Sequence, residues 1–284
     1  MMTIEFLLTP FVAVVILILI NVYFGLHVIK REIIFIDIAL AQIAALGSTL
    51  ALILFNMLHP QAALDHEETN AFTYCFSLAF VLLAALMFTL MKNKRIPVPL
   101  EAIIGITYAV STTGAVIILD KGAGGDVHIH DMLIGSILWV SWHQITRLFV
   151  AAVIAGIIHF VFREKFIKLS DNYLNNGSKL KNAALWDFLF YFTFGIVVIE
   201  AVNVAGILTV FALLIIPSSI STLATNNWRN KLWIGWSASI VSAILGLYIS
   251  WKIDIPASPV IIVLLALELL IVFVFQRSLS MRKA

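Results

Sequence analysis

The chain has 284 residues, 62% of them hydrophobic and 12% charged, with a mean hydropathy of +1.04. A soluble domain is about half apolar and about a quarter charged, so this chain lacks the polar surface that a water-soluble fold needs. The net charge of +2 says little by itself, no nucleic-acid partner is expected, and a lone cysteine, Cys75, excludes an internal disulfide framework and a Cys-rich metal cluster.

Apolar stretches fall at 5–26, 33–56, 72–91, 101–119, 144–162, 184–202, 206–222, 232–251 and 258–276. Each suits a spanning helix of roughly 20 residues. Runs such as Phe11 to Ile20 do not alternate apolar with polar, which excludes a transmembrane barrel. The expected fold is therefore all-α: a polytopic membrane helical bundle of about nine transmembrane helices. Eight are possible, because only Asn203 to Ala205 separate the sixth and seventh stretches. Met1 to Glu5 carries no basic n-region, so the first segment is expected to be retained rather than cleaved. A short apolar piece, Met132 to Trp142, precedes the fifth span as a re-entrant segment or an extension of that helix. Pro217 lies inside the seventh span, where it should kink or break the helix. Tryptophans near the span ends read as an aromatic belt.

Orientation follows from the basic residues. One alternating set of loops holds Lys30, Arg31, Lys92, Lys94, Arg95, Arg163, Lys165, Lys168, Lys179, Lys181, Arg229 and Lys231, while the opposite set holds only Lys121 and Lys252. The positive-inside rule places the N-terminus outside and the C-terminus inside. This alternation supports nine crossings. The longest polar stretch, Arg163 to Asn182, becomes a cytoplasmic loop. Residues 1–284 read as a single transmembrane domain. No G-x-x-x-x-G-K-[ST] phosphate loop occurs, so any ATP hydrolysis belongs to another chain.

Two outward loops are rich in metal-ligand side chains. The first holds His59, Asp65, His66, Glu67 and Glu68; the second holds Asp120, Asp126, His128, His130 and Asp131. Imidazole and carboxylate suit Zn²⁺, Mn²⁺ and Fe²⁺, so His59, His66, Asp126, His128, His130 and Asp131 are candidates for transient capture; simple solvation of a loop is the competing reading. Acids at membrane depth are the stronger signal, since a charge there costs roughly 2.5–3.5 kcal/mol on insertion scales. Asp37, Glu200 and Glu268 qualify. Asp37 also reads as a helix-start carboxylate stabilised by the helix dipole, and Glu268 as a structural hydrogen bond, a subunit contact or a protonated side chain. His27 and His143 read as interfacial, and His159 as a satisfied buried histidine. The residues also allow a secondary cation transporter that uses these carboxylates as a relay.

Three stretches together resemble the permease subunits of ABC-type zinc, manganese and iron importers. Phe24 to Glu32, running into Asp37, Gln42 and Gly47, is similar to a family segment in which a glycine and a basic pair precede Gly-Asp-x-Leu-x-His-Ala. Val204-Ala205-Gly206-Ile207-Leu208 through Pro217 resembles the family's Val-Gly-x-Leu-Leu-x-x-x-Leu-Leu-Ile-x-Pro, the most specific match. Met132 to Val140 is similar to a Leu-x-Gly-x-x-Leu-x-Val segment. The resemblance implies a homodimeric multi-pass permease of the bacterial cytoplasmic membrane with a central pathway. It further implies a cytoplasmic ABC ATPase, an extracytoplasmic metal-binding protein and a divalent metal ion as transported substrate, with no cofactor in this chain. Ser170, Asp171 and Gly177 are the nearest match to the family's coupling loop. One departure stands out: the family's metal-site histidine corresponds to Gln42, and its aspartate to Ile38, one residue after Asp37. The candidate pathway residues are then Asp37, Gln42 and Glu200, an oxygen-rich set that favours a harder ion such as Mn²⁺, or a metal chelate.

Overall fold

A computed structural model describes residues 7–58, 66–92, 98–119, 137–172 and 182–281. Among the described residues there are ten α-helices and one short 3-10 turn. They are α1 (Leu8–Arg31), α2 (Ile36–Leu58), α3 (His66–Met91), α4 (Leu100–Leu119), the turn Ile137–Trp139, α5 (Trp142–Val161), α6 (Arg163–Asp171), α7 (Ala183–Ala205), α8 (Ile207–Ala224), α9 (Trp228–Ile253) and α10 (Ala257–Met281). All but α6 are long and apolar enough to cross a membrane, so the described residues supply nine spans. The expected polytopic bundle and its nine helices are found.

The chain divides into two compact units. The first holds α1, the 3-10 turn, α5, the end of α7 from Glu200, and α8 to α10. In it α1 packs against α5, α8 and α9, while α8, α9 and α10 pack on one another. The closest approach is at Gly25. A Cβ there would stand 2.0 Å from the Leu214 carbonyl oxygen and 2.3 Å from Ser218 Oγ. Only a glycine lets the α1 and α8 backbones come so near, the usual device for helix packing in lipid. Ser218 Oγ then donates to the Val22 carbonyl at 3.3 Å. Gly235 of α9 makes a similar gap, filled by Val22 and facing the Pro217 carbonyl. The two longest motif stretches thus meet at Gly25 and Leu214.

The second unit holds α2, α3, α4, α6 and α7 up to Ile199. Here α2 packs against α3 and α4. Gly47 admits the Phe76 carbonyl and the Phe80 ring, and Ser77 Oγ donates to the Ala44 carbonyl at 3.0 Å. Gly195 of α7 receives the Val81 side chain. Lys92, at the end of α3, pairs with the buried Asp187 of α7.

Several details refine the sequence-based expectation. Of the kink or break expected at Pro217, the break does not occur, because α8 runs unbroken from Ile207 to Ala224; spanning helices tolerate proline where neighbouring groups take up the freed backbone. The separation of the sixth and seventh spans is not the Asn203–Ala205 stretch, which is helical, but Gly206 alone. Its φ of 77° and ψ of 160° suit glycine and strain any other residue. The polar stretch after α5 also begins with a helix that the sequence reading took for loop. In α6, Phe166 and Leu169 are buried while its charged residues face out; Phe166 meets the rings of Trp186 and Phe190 on α7, and Lys165 Nζ lies 4.2 Å from the Trp186 ring centroid. Of the apolar piece before α5, residues 132–136 lie outside the described residues. The described remainder is a 3-10 turn that ends before α5 starts, so it does not extend that helix.

Candidate functional site

Asp37 stands in the first turn of α2 and is 2% exposed. Its carboxylate lies against the backbone amides of Asp37 and Ile38, a favourable place for an acid because those amides have no partner within the helix. Oδ1 has no hydrogen-bond partner. Asp37 is therefore both a helix-start carboxylate and a buried acid with an unused oxygen. Gln42, also buried, lies five residues along the same helix. At 3.6 residues per turn the two side chains leave α2 roughly 140° apart, so one face of α2 does not present both.

Glu200 belongs to the other unit, where it is 1% exposed. Its Oε2 lies 3.2 Å from Nε of Arg147 on α5, an ion pair whose atoms are not aligned as a hydrogen bond. One turn away, Gln144 Nε2 donates to the Asn203 carbonyl at 3.4 Å. Gln144 and Arg147 are three apart on α5, as are Glu200 and Asn203 on α7. The antiparallel helices are thus joined by two polar ties in register, beside the break at Gly206. Arg147 falls within the fifth apolar stretch, 144–162, yet its pairing with Glu200 does not show in the spacing of the chain. The available signal was that a cation and an acid, each costly at membrane depth, offset one another when paired.

A second cluster in the same unit gathers around α1. The Tyr23 hydroxyl and His159 Nδ1 are hydrogen-bonded at 3.0 Å, and the His159 ring packs edge-on against Phe24. His159 is buried and satisfied, as expected. His27, near the end of its span, is fully buried between Tyr23 and Trp228, because the last turns of α1 are covered by α5 and α9. Arg31, the end of α1, is likewise buried. Glu268 accepts a hydrogen bond from Ser242 Oγ at 2.8 Å, one of the three readings its place in the span allowed. Of the outer-loop candidates, His59, Asp126, His128, His130 and Asp131 lie outside the described residues, as does the side chain of His66. No group of three or more His, Cys, Asp or Glu side chains among the described residues could hold a metal ion.

The nine span-length helices among the described residues, with ionisable side chains buried between them, define a multi-pass α-helical membrane protein. The chain belongs to the ABC 3 transport family, whose model matches residues 3–276. It is similar to the manganese transport system membrane protein MntB of Synechocystis, 25% identical over 169 residues that make up 58% of this chain and 54% of the relative. A probable iron transport system membrane protein of Haemophilus influenzae is 28% identical over 156 residues, 53% of this chain and 55% of the relative. These matches span about half the length of those relatives. The fold is that of a chain in the structure of PsaBC from Streptococcus pneumoniae in complex with Fab: the TM-score is 0.77 at 20% identity, over 99% of this chain and 96% of that one.

Proposed function

We propose that this chain is the membrane-spanning permease subunit of an ABC transporter that imports divalent transition-metal ions (zinc, manganese or iron) or their chelates, driven by a separate ATPase. The observation that carries this reading is the family match along nearly the whole chain; relatives named for manganese and iron transport support the substrate class. Residues 1–284 act as one transmembrane domain of a homodimer in the bacterial cytoplasmic membrane, N-terminus outside and C-terminus inside, in keeping with the basic loops. The exposed charged side of α6, with Glu164, Lys165 and Lys168, is the surface offered to the ATPase. An extracytoplasmic binding protein delivers the ion, and the histidines and aspartates of the outer loops attract it.

Within the spans, Asp37 supplies a buried carboxylate oxygen not committed to a hydrogen bond. Gln42 offers an amide where the resemblance expects an imidazole. Oxygen ligands favour Mn²⁺ over Zn²⁺. Uptake of manganese, iron and zinc, measured in cells with and without the partner P-loop ATPase at matched chain levels, tests the reading. Uptake should require the ATPase, fall in Asp37→Asn, and shift towards zinc in Gln42→His. Uptake that persists without any ATPase would overturn it in favour of a secondary transporter. Unchanged rates for every ion in both variants would remove Asp37 and Gln42 from the pathway.

A further inference from the structure

We infer that Arg147 is a tethered counter-cation for Glu200: it neutralises the carboxylate when no ion is bound, and a divalent cation displaces it. This rests on the cation-import reading, and it assigns Arg147 a role in setting affinity. Three observations carry it.

The two partners differ sharply in burial. The Glu200 side chain is 2% exposed and that of Arg147 38% exposed. The acid is fixed in the interior and needs a positive partner wherever the protein is in its cycle. The arginine has a long side chain that is partly exposed on the chain's surface, so it can swing away while the acid stays in place. The contact itself is also weakly directed, since Nε and Oε2 approach to 3.2 Å without hydrogen-bond alignment. Attraction of this kind is mainly Coulombic, and a second cation can replace it.

The surroundings supply oxygen rather than nitrogen or sulfur. One turn from Glu200, the Asn203 carbonyl accepts only a long bond, 3.4 Å, from Gln144 Nε2. Asn203 is exposed. A carboxylate with a nearby carbonyl and water suits a hard divalent ion such as Mn²⁺. The in-register ties 147–200 and 144–203 would both be released as an ion settled on Glu200. Arrival of the cation is thereby linked to loosening of α5 from the end of α7.

The test uses the purified full-length chain in detergent and Mn²⁺ as probe, with free Mn²⁺ followed by its electron paramagnetic resonance signal. Arg147→Gln removes the competitor and should tighten Mn²⁺ binding by about ten-fold, the size of a coupling typical of one such charge pair. Adding Glu200→Gln to that variant should abolish the gain, which separates this site from histidines and acids elsewhere. Arg147→Lys keeps a cation of different shape and guards against a misfolded glutamine variant; it should tighten binding by about two- to three-fold. Equal Mn²⁺ affinity in wild type, Arg147→Lys and Arg147→Gln, with only thermal stability altered, would make the pair purely structural and overturn the inference. Binding that follows the predicted pattern while cellular uptake proves independent of an ATPase would keep the inference and sink the importer reading.

Discussion

Gly25→Ala probes the tightest glycine contact among the described residues. The new Cβ would stand 2.0 Å from the Leu214 carbonyl oxygen, where ordinary contact begins near 3.4 Å. That oxygen belongs to the backbone of α8 and cannot rotate aside, so α1 and α8 must part by more than an ångström. Ser218 Oγ, 2.3 Å from the same Cβ, can swing away, but only by giving up its bond to the Val22 carbonyl. Overpacking costs about 1–3 kcal/mol and the lost hydrogen bond about 1 kcal/mol, together roughly 2–4 kcal/mol. Thermal unfolding of the purified chain in detergent should show Tm lowered by roughly 4–12 °C. Gly156→Ala is the control: it lies on α5 with nothing within 4 Å of the position a Cβ would take, and alanine is the better helix former. A Gly25→Ala protein that unfolds within about 1 °C of the Gly156→Ala protein would refute the close approach of α1 and α8.

Four further outcomes follow from the same geometry. Gly206→Ala forces a side chain into φ 77° and should cost about 1–3 kcal/mol, read as a lower Tm, whereas no change would mean that α7 and α8 do not break there. Phe166→Ala removes the anchor between α6 and the rings of Trp186 and Phe190; co-purification with the ATPase should fall while chain abundance holds, and undiminished co-purification would take α6 out of the docking surface. In the Lys92–Asp187 pair the acid is 3% exposed and the lysine 25%, so Lys92→Met, which takes this cation away from a buried carboxylate, should lower Tm more than Asp187→Asn, which leaves the more exposed partner; the reverse order would contradict the burial. Tyr23→Phe deletes the hydroxyl bonded to His159 and should cost about 0.5–1.5 kcal/mol, checked by the same unfolding assay.

The helix count was legible along the chain because a spanning helix must be apolar over its whole length, whatever it packs against. The motif glycines were legible as positions, Gly25, Gly47 and Gly206 among them, but their reasons were not. Gly25 exists for the approach of Leu214, nearly two hundred positions away, and Gly206 for a backbone angle. Helix α6 escaped notice because nine residues with only Phe166 and Leu169 as buried apolar side chains leave a weak apolar pattern, and the rings that meet Phe166 lie on α7. His27 was placed at an interface by its distance from a span end, and only the packing of α5 and α9 over α1 buries it. Glu200 was recognisable as a costly acid from its apolar neighbours alone. That its charge is met by Arg147, on a helix more than fifty residues earlier, was decided by the fold, since electrostatic pairing depends on distance in space and leaves no spacing along the chain.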